Sequence, residues 1–204
     1  MPAIVNQADR RDALAGRAAE IIAAGGLEAA TVKAVAGAAG FSTKVVSHYF
    51  VDKRDLLLAT YRFAAQSSLA LARAGQPAGR ADAEAHLLAL LPTTPTGVRN
   101  WKVWFAFWGY AISDPEFSDE QAHQIAASEA RVAELMAADP RFAHLDEPSR
   151  RQLAGDAMIT VLGVALRAVF DLGAWPGARQ QRLVREALAA AAPAGRVAAL
   201  ANEA

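Results

Sequence analysis

The sequence predicts an all-α protein of about nine helices. Alanine, the strongest helix former, supplies 51 of the 204 residues. Apolar residues recur with the helical period along the chain, and no segment alternates apolar and polar residues between turn signals as a strand does. The length is sufficient for one large or two modest domains with a substantial core.

The first predicted helix has an apolar face opposite a charged one. The apolar residues are Leu14, Ala18, Ile21 and Ile22, and the charged residues are Arg11, Arg17 and Glu20. Gly25 and Gly26 follow, as glycines commonly do at the end of a helix. We expect an amphipathic helix that ends at this pair.

Two short helices are predicted next, at about 32–39 and 43–49. Thr31 and Ser42 precede them as N-caps. Gly40 lies where the chain must reverse, and we expect a positive φ there because glycine adopts it without a Cβ penalty.

Longer helices are predicted after these. Asp52 caps one that reaches about Ala74, and GQPAGR at 75–80 is a loop. Further helices are expected near 81–91, 98–113, 119–138, 149–172 and 178–191, separated by turns that include 92–97 and 174–177. Ser118 and Ser149 have capping-box spacing to the glutamines three residues on, which predicts helix starts there.

The short pair has the spacing of a helix-turn-helix. Small residues in the first helix allow the second to cross it closely. Val35, Phe41, Val46 and Phe50 are spaced to pack inward against the first long helix. The other side of the second helix is therefore predicted to face outward.

That outward side is polar and carries no acid: Thr43, Lys44, Ser47 and His48. Such a face can enter a major groove and bind base edges. Thr31 and Ser42 place hydroxyls and backbone amides where phosphate oxygens would lie, and Lys53 can neutralise a flanking phosphate. A second interpretation remains open, since Thr31 and Ser42 cap helices in any case and Tyr49 fits a core.

Net charge alone argues against a nucleic-acid binder, because 21 basic residues balance 21 acidic ones. The distribution differs from the sum. Residues 1–75 hold nine Lys/Arg and six Asp/Glu, whereas 76–204 hold twelve and fifteen. From 31 to 54 there are four cations against Asp52 alone. The basic excess therefore coincides with the predicted DNA-facing segment.

This N-terminal segment resembles the DNA-binding domain of the tetracycline-repressor (TetR) family over about residues 10–62. The resemblance rests on the Gly-Gly helix end, Thr31, A-x-x-x-G at 36–40, S-T-K-V-V-S-H-Y-F at 42–50, Lys53 and Leu56-Leu57. S-H-Y-F together with A-T-Y at 59–61 is similar to the choline-sensing betaine-operon repressor subgroup.

The resemblance implies two sets of DNA contacts. Residues approaching bases are Lys33, Thr43, Lys44, Ser47 and His48. Residues holding phosphates are Thr31, Ser42, Tyr49 and Lys53. Lys44 stands where the family commonly has glycine and Ser47 where tyrosine is common, so no operator sequence can be transferred.

One short recognition helix makes few contacts, so two copies are expected. A homodimer would bind double-stranded DNA at a pseudo-palindromic operator, its half-sites about 34–36 Å apart. Residues 156–171 and the helix at 183–192 resemble the family's dimer-forming pair. Packing within one chain is the alternative, which the sequence does not separate from dimerisation.

The helix at 98–113 carries three of the four tryptophans. Trp101, Trp104, Phe105 and Trp108 share one face at helical spacing. Two interpretations stand, an ordinary core or the lining of an effector pocket, and the W-F-A-F-W wording at 104–108 also resembles the subgroup. Facing aromatic rings suit a small organic effector, in particular a cation, with Asp114, Glu116 or Glu129 as counter-charges.

The predicted organisation has three parts: a helix-turn-helix DNA-binding domain at 1–52, a connecting helix at 53–75, and a ligand-binding and dimerisation domain at 76–204. We expect the effector to bind the third part and change the geometry of the first. The function predicted is a ligand-responsive transcriptional regulator, a repressor by resemblance. A constitutive DNA-binding protein without an effector is the alternative.

Other function classes find little support. The absence of cysteine fits a cytoplasmic protein, and the four histidines have no metal-ligand spacing, so no metal, cofactor or enzyme activity is predicted. A small helical enzyme around Trp108 and His123 is the weaker alternative. No apolar h-region marks the N-terminus and no run of about eighteen apolar residues occurs, so neither secretion nor a membrane span is expected.

Overall fold

The computed structural model describes residues 7–77 and 81–191, and every regular element in these ranges is helical. The α-helices are α1 Gln7–Gly25, α2 Val32–Ala39, α3 Thr43–Tyr49, α4 Lys53–Ala74, α5 Ala83–Leu90, α6 Pro95–Ala111, α7 Pro115–Ala137, α8 Glu147–Phe170 and α9 Gly177–Ala191. Short 3-10 helices lie at Leu27–Ala29 and Pro140–Phe142. The predicted fold class, all-α with nine helices, is confirmed for the described residues.

Three sequence predictions reach beyond the described residues. They concern the beginning of the N-terminus, the second half of the loop at 75–80, and the last residue of the predicted helix at 183–192.

Three helices begin earlier than predicted. Helix α6 begins at Pro95, and α7 begins at Pro115 rather than after Ser118. Asp114 caps α7, since its Oδ1 accepts from the amides of Glu116 and Phe117. The predicted capping boxes are wrong because proline, which fits the first helical turn without losing a needed N–H, moves each start upstream.

The same correction applies to α8. Asp146 is its N-cap and accepts from the amide of Ser149 at 2.9 Å, so Ser149 lies inside the helix. Pro148 lies in the first turn. An Asp upstream of a proline was the stronger start signal in both cases.

The chain divides into two compact units. One runs to Leu69 and includes Pro95–Ala122; the other comprises Ala70–Thr94 and the chain from His123 onward. This grouping follows packing, whereas the boundaries at 52 and 75 predicted from the sequence concern function and stay predictions.

The core of the first unit joins α1, α4, α6 and the start of α7. Ile22, Tyr61, Val103, Phe107 and Phe117 are buried together in it. Phe107 makes ring contacts with Tyr61 at 5.3 Å and Phe117 at 5.5 Å. Helix α6 thus packs against α1 of the predicted DNA-binding domain and against the connecting helix α4, an arrangement that was not predicted from the sequence.

The second unit is built on α8. Helix α9 packs along α8, and α5 contacts both. Buried residues on these helices include Leu87, Leu153, Val161, Val184 and Leu188. This unit has its own apolar core.

Helix α8 also qualifies, by length and composition alone, as able to cross a membrane. Its mean hydropathy reaches 1.7 over an 18-residue window, of which 39% is buried inside the protein. The expectation that no segment is apolar enough therefore has this exception within the described residues. Because the hydropathy is averaged over the window, α8 meets the criterion although Asp156 and Arg167 interrupt its run of apolar residues. Core helices of soluble proteins pass the same test, so the finding is weak evidence for a membrane.

Candidate nucleic-acid interface and effector site

The turn between α2 and α3 has the predicted geometry. Gly40 adopts φ 71°, the left-handed region that favours glycine. The amide of Phe41 donates to the carbonyl of Ala36 at 2.9 Å, so the end of α2 is closed by a Schellman-type bond. Thr31 and Ser42 cap the two helices by accepting from the amides of Ala34 at 3.1 Å and Val45 at 3.4 Å.

The inward side of the helix pair is mostly as predicted. Val35, Val46 and Phe50 are buried and pack with Leu14 of α1. Phe41, also predicted to pack inward, is 39% exposed. That prediction is wrong because Phe41 lies in the reversal itself, between the left-handed Gly40 and the cap of α3, and so precedes the helix whose periodicity directs side chains inward.

The outward side gathers the residues predicted to contact DNA. Those that are exposed are Thr31, Lys33, Ser42, Thr43, Lys44, Ser47 and His48. Tyr49 is half-buried and contacts the His48 ring edge-on at 5.2 Å. Among the described residues, no carboxylate pairs with Lys33 or Lys44. The face therefore presents two unneutralised cations among hydroxyl groups.

Lys53 differs from the other two lysines. Its Nζ donates to Oε2 of Glu28 at 2.7 Å, and the Glu28 side chain is 82% exposed. Glu28 lies in the short 3-10 helix before α2. The ammonium group that was predicted to hold a phosphate is therefore paired with a carboxylate of the protein, a contact absent from the sequence prediction.

An arginine holds the start of α4 to the rest of this unit. Arg11 of α1 pairs with Asp55 of α4, and its guanidinium lies over the ring of Phe50 at 4.8 Å. Asp55 also accepts from the amide of Val51 at 3.2 Å. These contacts hold the chain between α3 and α4 in place. They therefore orient α3 relative to α1 and α4.

The four aromatic residues predicted to bind an effector form a ladder along α6. Trp101 contacts Trp104 at 4.8 Å and Phe105 at 5.4 Å, and Phe105 contacts Trp108 at 5.1 Å, all between ring centroids. Trp101 is buried, whereas the other three are half-buried. The rings therefore share one face, as predicted, and part of that face is open.

One amide links this ladder to the connecting helix. Oε1 of Gln121, on α7, accepts from Nε1 of Trp108 at 3.1 Å and also from the Tyr61 hydroxyl of α4. Burial, and secondarily the charge of Glu120, raises the pKa of Tyr61, so its hydroxyl stays protonated and able to donate. The sequence predicted a capping-box role for Gln121, which is wrong because α7 begins upstream at Pro115; its contacts with Trp108 and Tyr61 depend on helix packing, of which the sequence gives no signal.

Two acidic residues considered as counter-charges already have a partner. Arg54 donates to Oδ1 of Asp114 at 2.5 Å and to Oε2 of Glu116 at 2.7 Å, and it lies over the ring of Phe117 at 4.9 Å. Hydrogen bonding from Arg54 lowers the pKa of Asp114. One guanidinium therefore engages both carboxylates and balances about half of their combined charge.

A surface depression of about 380 Å³ lies in the second unit. Its lining residues are Arg167, Phe170, Asp171, Ala174, Trp175 and Arg179. None of the four aromatic residues predicted as effector ligands belongs to it. The described residues contain no group of three or more His, Asp or Glu side chains placed to hold a metal ion.

Comparison with known sequence families identifies both parts of the chain. Residues 16–60 match the bacterial regulatory proteins of the tetR family, and residues 77–193 match the C-terminal domain of BetI-type transcriptional repressors. The chain belongs to the TetR family. Its BetI-type C-terminal part extends over more than half of the sequence.

Curated relatives agree with this TetR-family membership. The HTH-type transcriptional regulator BetI of Cronobacter sakazakii is 31% identical over 203 residues, 95% of this chain and 98% of that protein. The protein of the same name from Burkholderia cenocepacia is 33% identical over 119 residues, 56% of this chain and 61% of its own length.

Solved structures share the TetR-family fold. A transcriptional regulator from Rhodococcus sp. Rha1 superposes with a TM-score of 0.74 at 22% identity, covering 87% of this chain and 93% of that one. A putative transcriptional regulator from Saccharomonospora viridis, solved in complex with choline, gives 0.73 at 17% identity, with 88% and 95% covered. At these identities the likeness concerns the fold.

Membership in the TetR family confirms the resemblance on which the sequence interpretation rested. This chain is thus a TetR-family protein of the BetI-type transcriptional repressor class. The individual DNA and effector contacts remain predictions for this chain.

Proposed function

We propose that this chain is a homodimeric, cytoplasmic repressor that binds a pseudo-palindromic operator through α3 and is released by a small organic cation. The boundaries predicted from the sequence, 1–52, 53–75 and 76–204, describe the parts that carry these roles. We also propose that it has no catalytic activity.

The observation that carries the DNA-binding proposal is the outward face of α2 and α3. It combines exposed hydroxyls with Lys33 and Lys44, whose charges no described carboxylate neutralises. Unpaired cations bind phosphates by releasing counterions, while side chains at the start of a recognition helix read base edges. Lys33, Thr43, Lys44, Ser47 and His48 are the proposed base contacts.

Lys44 provides the test of this assignment. An operator is first selected from a random duplex library with the wild-type protein, and Lys44→Met is then compared with wild type on the operator and on each single-base variant. A base contact is worth about 1–3 kcal/mol, so the variant should lose discrimination at one or two positions. An equal loss of affinity on the operator and on every variant would show that Lys44 contacts only phosphate. Wild-type binding without any sequence preference would contradict the repressor proposal.

Two features support an organic cation as effector. The half-open aromatic ladder on α6 offers ring faces, which attract cations when water is excluded. The fold neighbour from Saccharomonospora viridis was solved with choline, a quaternary ammonium compound. We therefore propose a quaternary ammonium ligand at Trp101, Trp104, Phe105 and Trp108.

The signal is proposed to pass through Gln121. A ligand that displaces Trp108 removes one of the two donors on the Gln121 carbonyl, while the other donor, Tyr61, belongs to α4. Helix α4 begins at Lys53, directly after the recognition helix and its turn. The ligand must favour one state of this link by several kcal/mol to shift the population strongly.

A constitutive DNA-binding protein remains the second candidate function. The observation that favours it is the pairing of Asp114 and Glu116 with Arg54, which engages both of the acids nearest in sequence to the ladder within the protein. Operator binding that no organic cation alters would support this candidate.

A further inference from the structure

Arg10 on α1 lies against the turn of the helix-turn-helix. Its guanidinium carbon is 5.6 Å from the centroid of the Phe41 ring. Phe41 directly precedes Ser42, the cap of α3, and is 39% exposed. Arg10, which is distant in the sequence, therefore contacts the residue immediately before the N-cap of the proposed recognition helix.

The neighbouring Arg11, by contrast, has a structural role inside the protein. It pairs with Asp55 and lies over Phe50, which is 1% exposed. Arg10 has no such arrangement, because its aromatic partner is exposed and no described carboxylate pairs with it. A cation over an exposed ring is only weakly stabilised, so this contact orients the guanidinium without neutralising it.

The charges around Arg10 leave its cation available. Asp9 and Asp12 are exposed on the same helix, and neither forms an ion pair with Arg10. On the α2–α3 side the predicted DNA contacts contain Lys44 and hydroxyl groups but no acid. A polyanion bound to that face would therefore meet Arg10 as an additional cation.

We infer that Arg10 binds a phosphate of the DNA backbone next to the recognition helix, and that Phe41 positions its guanidinium for this contact. The inference rests on the proposed DNA binding and extends the interface to α1. It also gives a role to the large apolar side chain at this exposed position of the turn. Arginine suits the role because its planar fork stacks on a ring while its N–H groups bind phosphate oxygens.

The salt dependence of binding tests this contact without knowledge of the operator. The association constant of the full-length protein for a non-specific duplex is measured by fluorescence anisotropy between about 50 and 200 mM salt. Each phosphate contact contributes about 0.9 to the slope of log K against log salt. Arg10→Gln should lower the slope by about that amount per subunit, and Arg10→Lys should keep it.

Arg17→Gln is the matched control. It removes the same charge from the same helix, but Arg17 already pairs with Glu20 at 2.9 Å. Its slope should equal that of wild type. Equal losses in both variants would show that only the overall charge matters, and an unchanged slope in Arg10→Gln would also overturn the inference.

Phe41→Leu tests the positioning role. It should weaken binding in the wild-type background and have no effect in the Arg10→Gln background, since the residue it positions is then absent. An equal effect in both backgrounds would overturn that role. If the wild-type protein itself shows no salt-dependent DNA binding, the proposed function fails; if wild type binds and Arg10→Gln matches it, only the Arg10 contact fails.

Discussion

At the scale of single residues, Lys53 and Glu28 hold opposing charges at the edge of the proposed DNA interface. Their ion pair, 2.7 Å between Nζ and Oε2, must open before Lys53 can bind a phosphate. Exposed pairs of this kind contribute about 0.2–1 kcal/mol. If Lys53 binds a phosphate as proposed, Glu28 competes with that phosphate for the same ammonium group and should lower the affinity for DNA.

We predict that Glu28→Gln binds DNA more tightly than wild type, by about 1.4- to fivefold per subunit if the whole ion-pair energy is released. The measurement is a DNA titration at fixed salt. Glu20→Gln serves as the control because Glu20 is an exposed acid of the same unit whose partner, Arg17, is assigned no DNA contact. An equal gain in both variants would mean that net charge, rather than release of Lys53, strengthens binding.

His86 is a second residue with a testable consequence. It is 4% exposed in α5, and burial, aided by the charge of Arg131, lowers its pKa to about 4. The unfolded chain has a histidine pKa near 6.5 and therefore binds the proton more readily than the folded chain. Stability linked to His86 is thus complete above about pH 6.5 and is lost as the pH falls towards 4.

We predict that the free energy of unfolding of the wild-type protein falls by up to about 3 kcal/mol over this range because of His86. In His86→Gln this part of the pH dependence should disappear. Urea unfolding at a series of pH values measures it, with His123→Gln, an exposed site on α7, as control. An identical pH dependence in His86→Gln and wild type would contradict the prediction.

Residues whose role is local were predictable from the sequence. Thr31, Gly40 and Ser42 act within four residues of themselves, and the structure confirms the predicted capping roles of Thr31 and Ser42 and the predicted positive φ of Gly40. Gln121 and Glu28 act on partners that are 60 and 25 residues away in the chain. Such contacts depend on how helices pack, which periodicity alone does not specify.

At the scale of helices, α4 and α7 are tied by several polar contacts in the first unit. Arg62 donates to Glu120 at 2.6 Å, Arg54 binds the cap of α7, and Tyr61 shares Gln121 with Trp108. Of these, only the Tyr61 contact also involves the proposed effector site. It is therefore the contact that should carry the effector signal to α4.

We predict that Tyr61→Phe keeps DNA and choline affinity within a fewfold of wild type but loses most of the coupling between them. Coupling is the factor by which saturating choline lowers operator affinity, and it must equal the factor by which operator lowers choline affinity. Choline's neutral isostere, with tert-butyl in place of trimethylammonium, should bind more weakly to both proteins. Tyr110→Phe is the control, since Tyr110 is 45% exposed on α6.

Full coupling in Tyr61→Phe would contradict the relay through Gln121. Tighter binding of the neutral isostere than of choline would contradict the organic-cation proposal, whatever the coupling. The two outcomes are independent, because one concerns the effector site and the other its connection to α4.

Helix interiors were predicted better than helix starts. The interiors of α6, α7 and α8 lie where their apolar periodicity is strongest, yet each begins two to four residues before its predicted start. Pro95 was assigned to the preceding turn, and Pro115 and Pro148 lay outside the predicted helices, although proline is well suited to a first helical turn. The competing signal at α7 and α8 was a capping-box pattern that occurs by chance inside a helix.

At the scale of the whole molecule, α8 has an exposed apolar face. Ile159, Leu166 and Phe170 are 66%, 41% and 82% exposed. Their spacing places them on one face of the helix, and that face carries Gly163, whose Cβ position has no neighbour within 4 Å. We propose this stripe as the homodimer interface, because a dimer would bring two copies of α3 to the two half-sites of a pseudo-palindrome.

We predict that the wild-type protein is a dimer at micromolar concentration by static light scattering, and that Ile159→Glu is a monomer. A carboxylate in an apolar two-fold interface is desolvated twice, once from each subunit. Ile112→Glu is the matched control: Ile112 is 88% exposed in the turn after α6, so the same substitution there should leave the dimer intact. The loss of the dimer in Ile159→Glu should also weaken operator binding, because each monomer contacts only one half-site. A monomeric wild-type protein would contradict the dimer itself, whereas a dimeric Ile159→Glu would place the interface elsewhere on the chain.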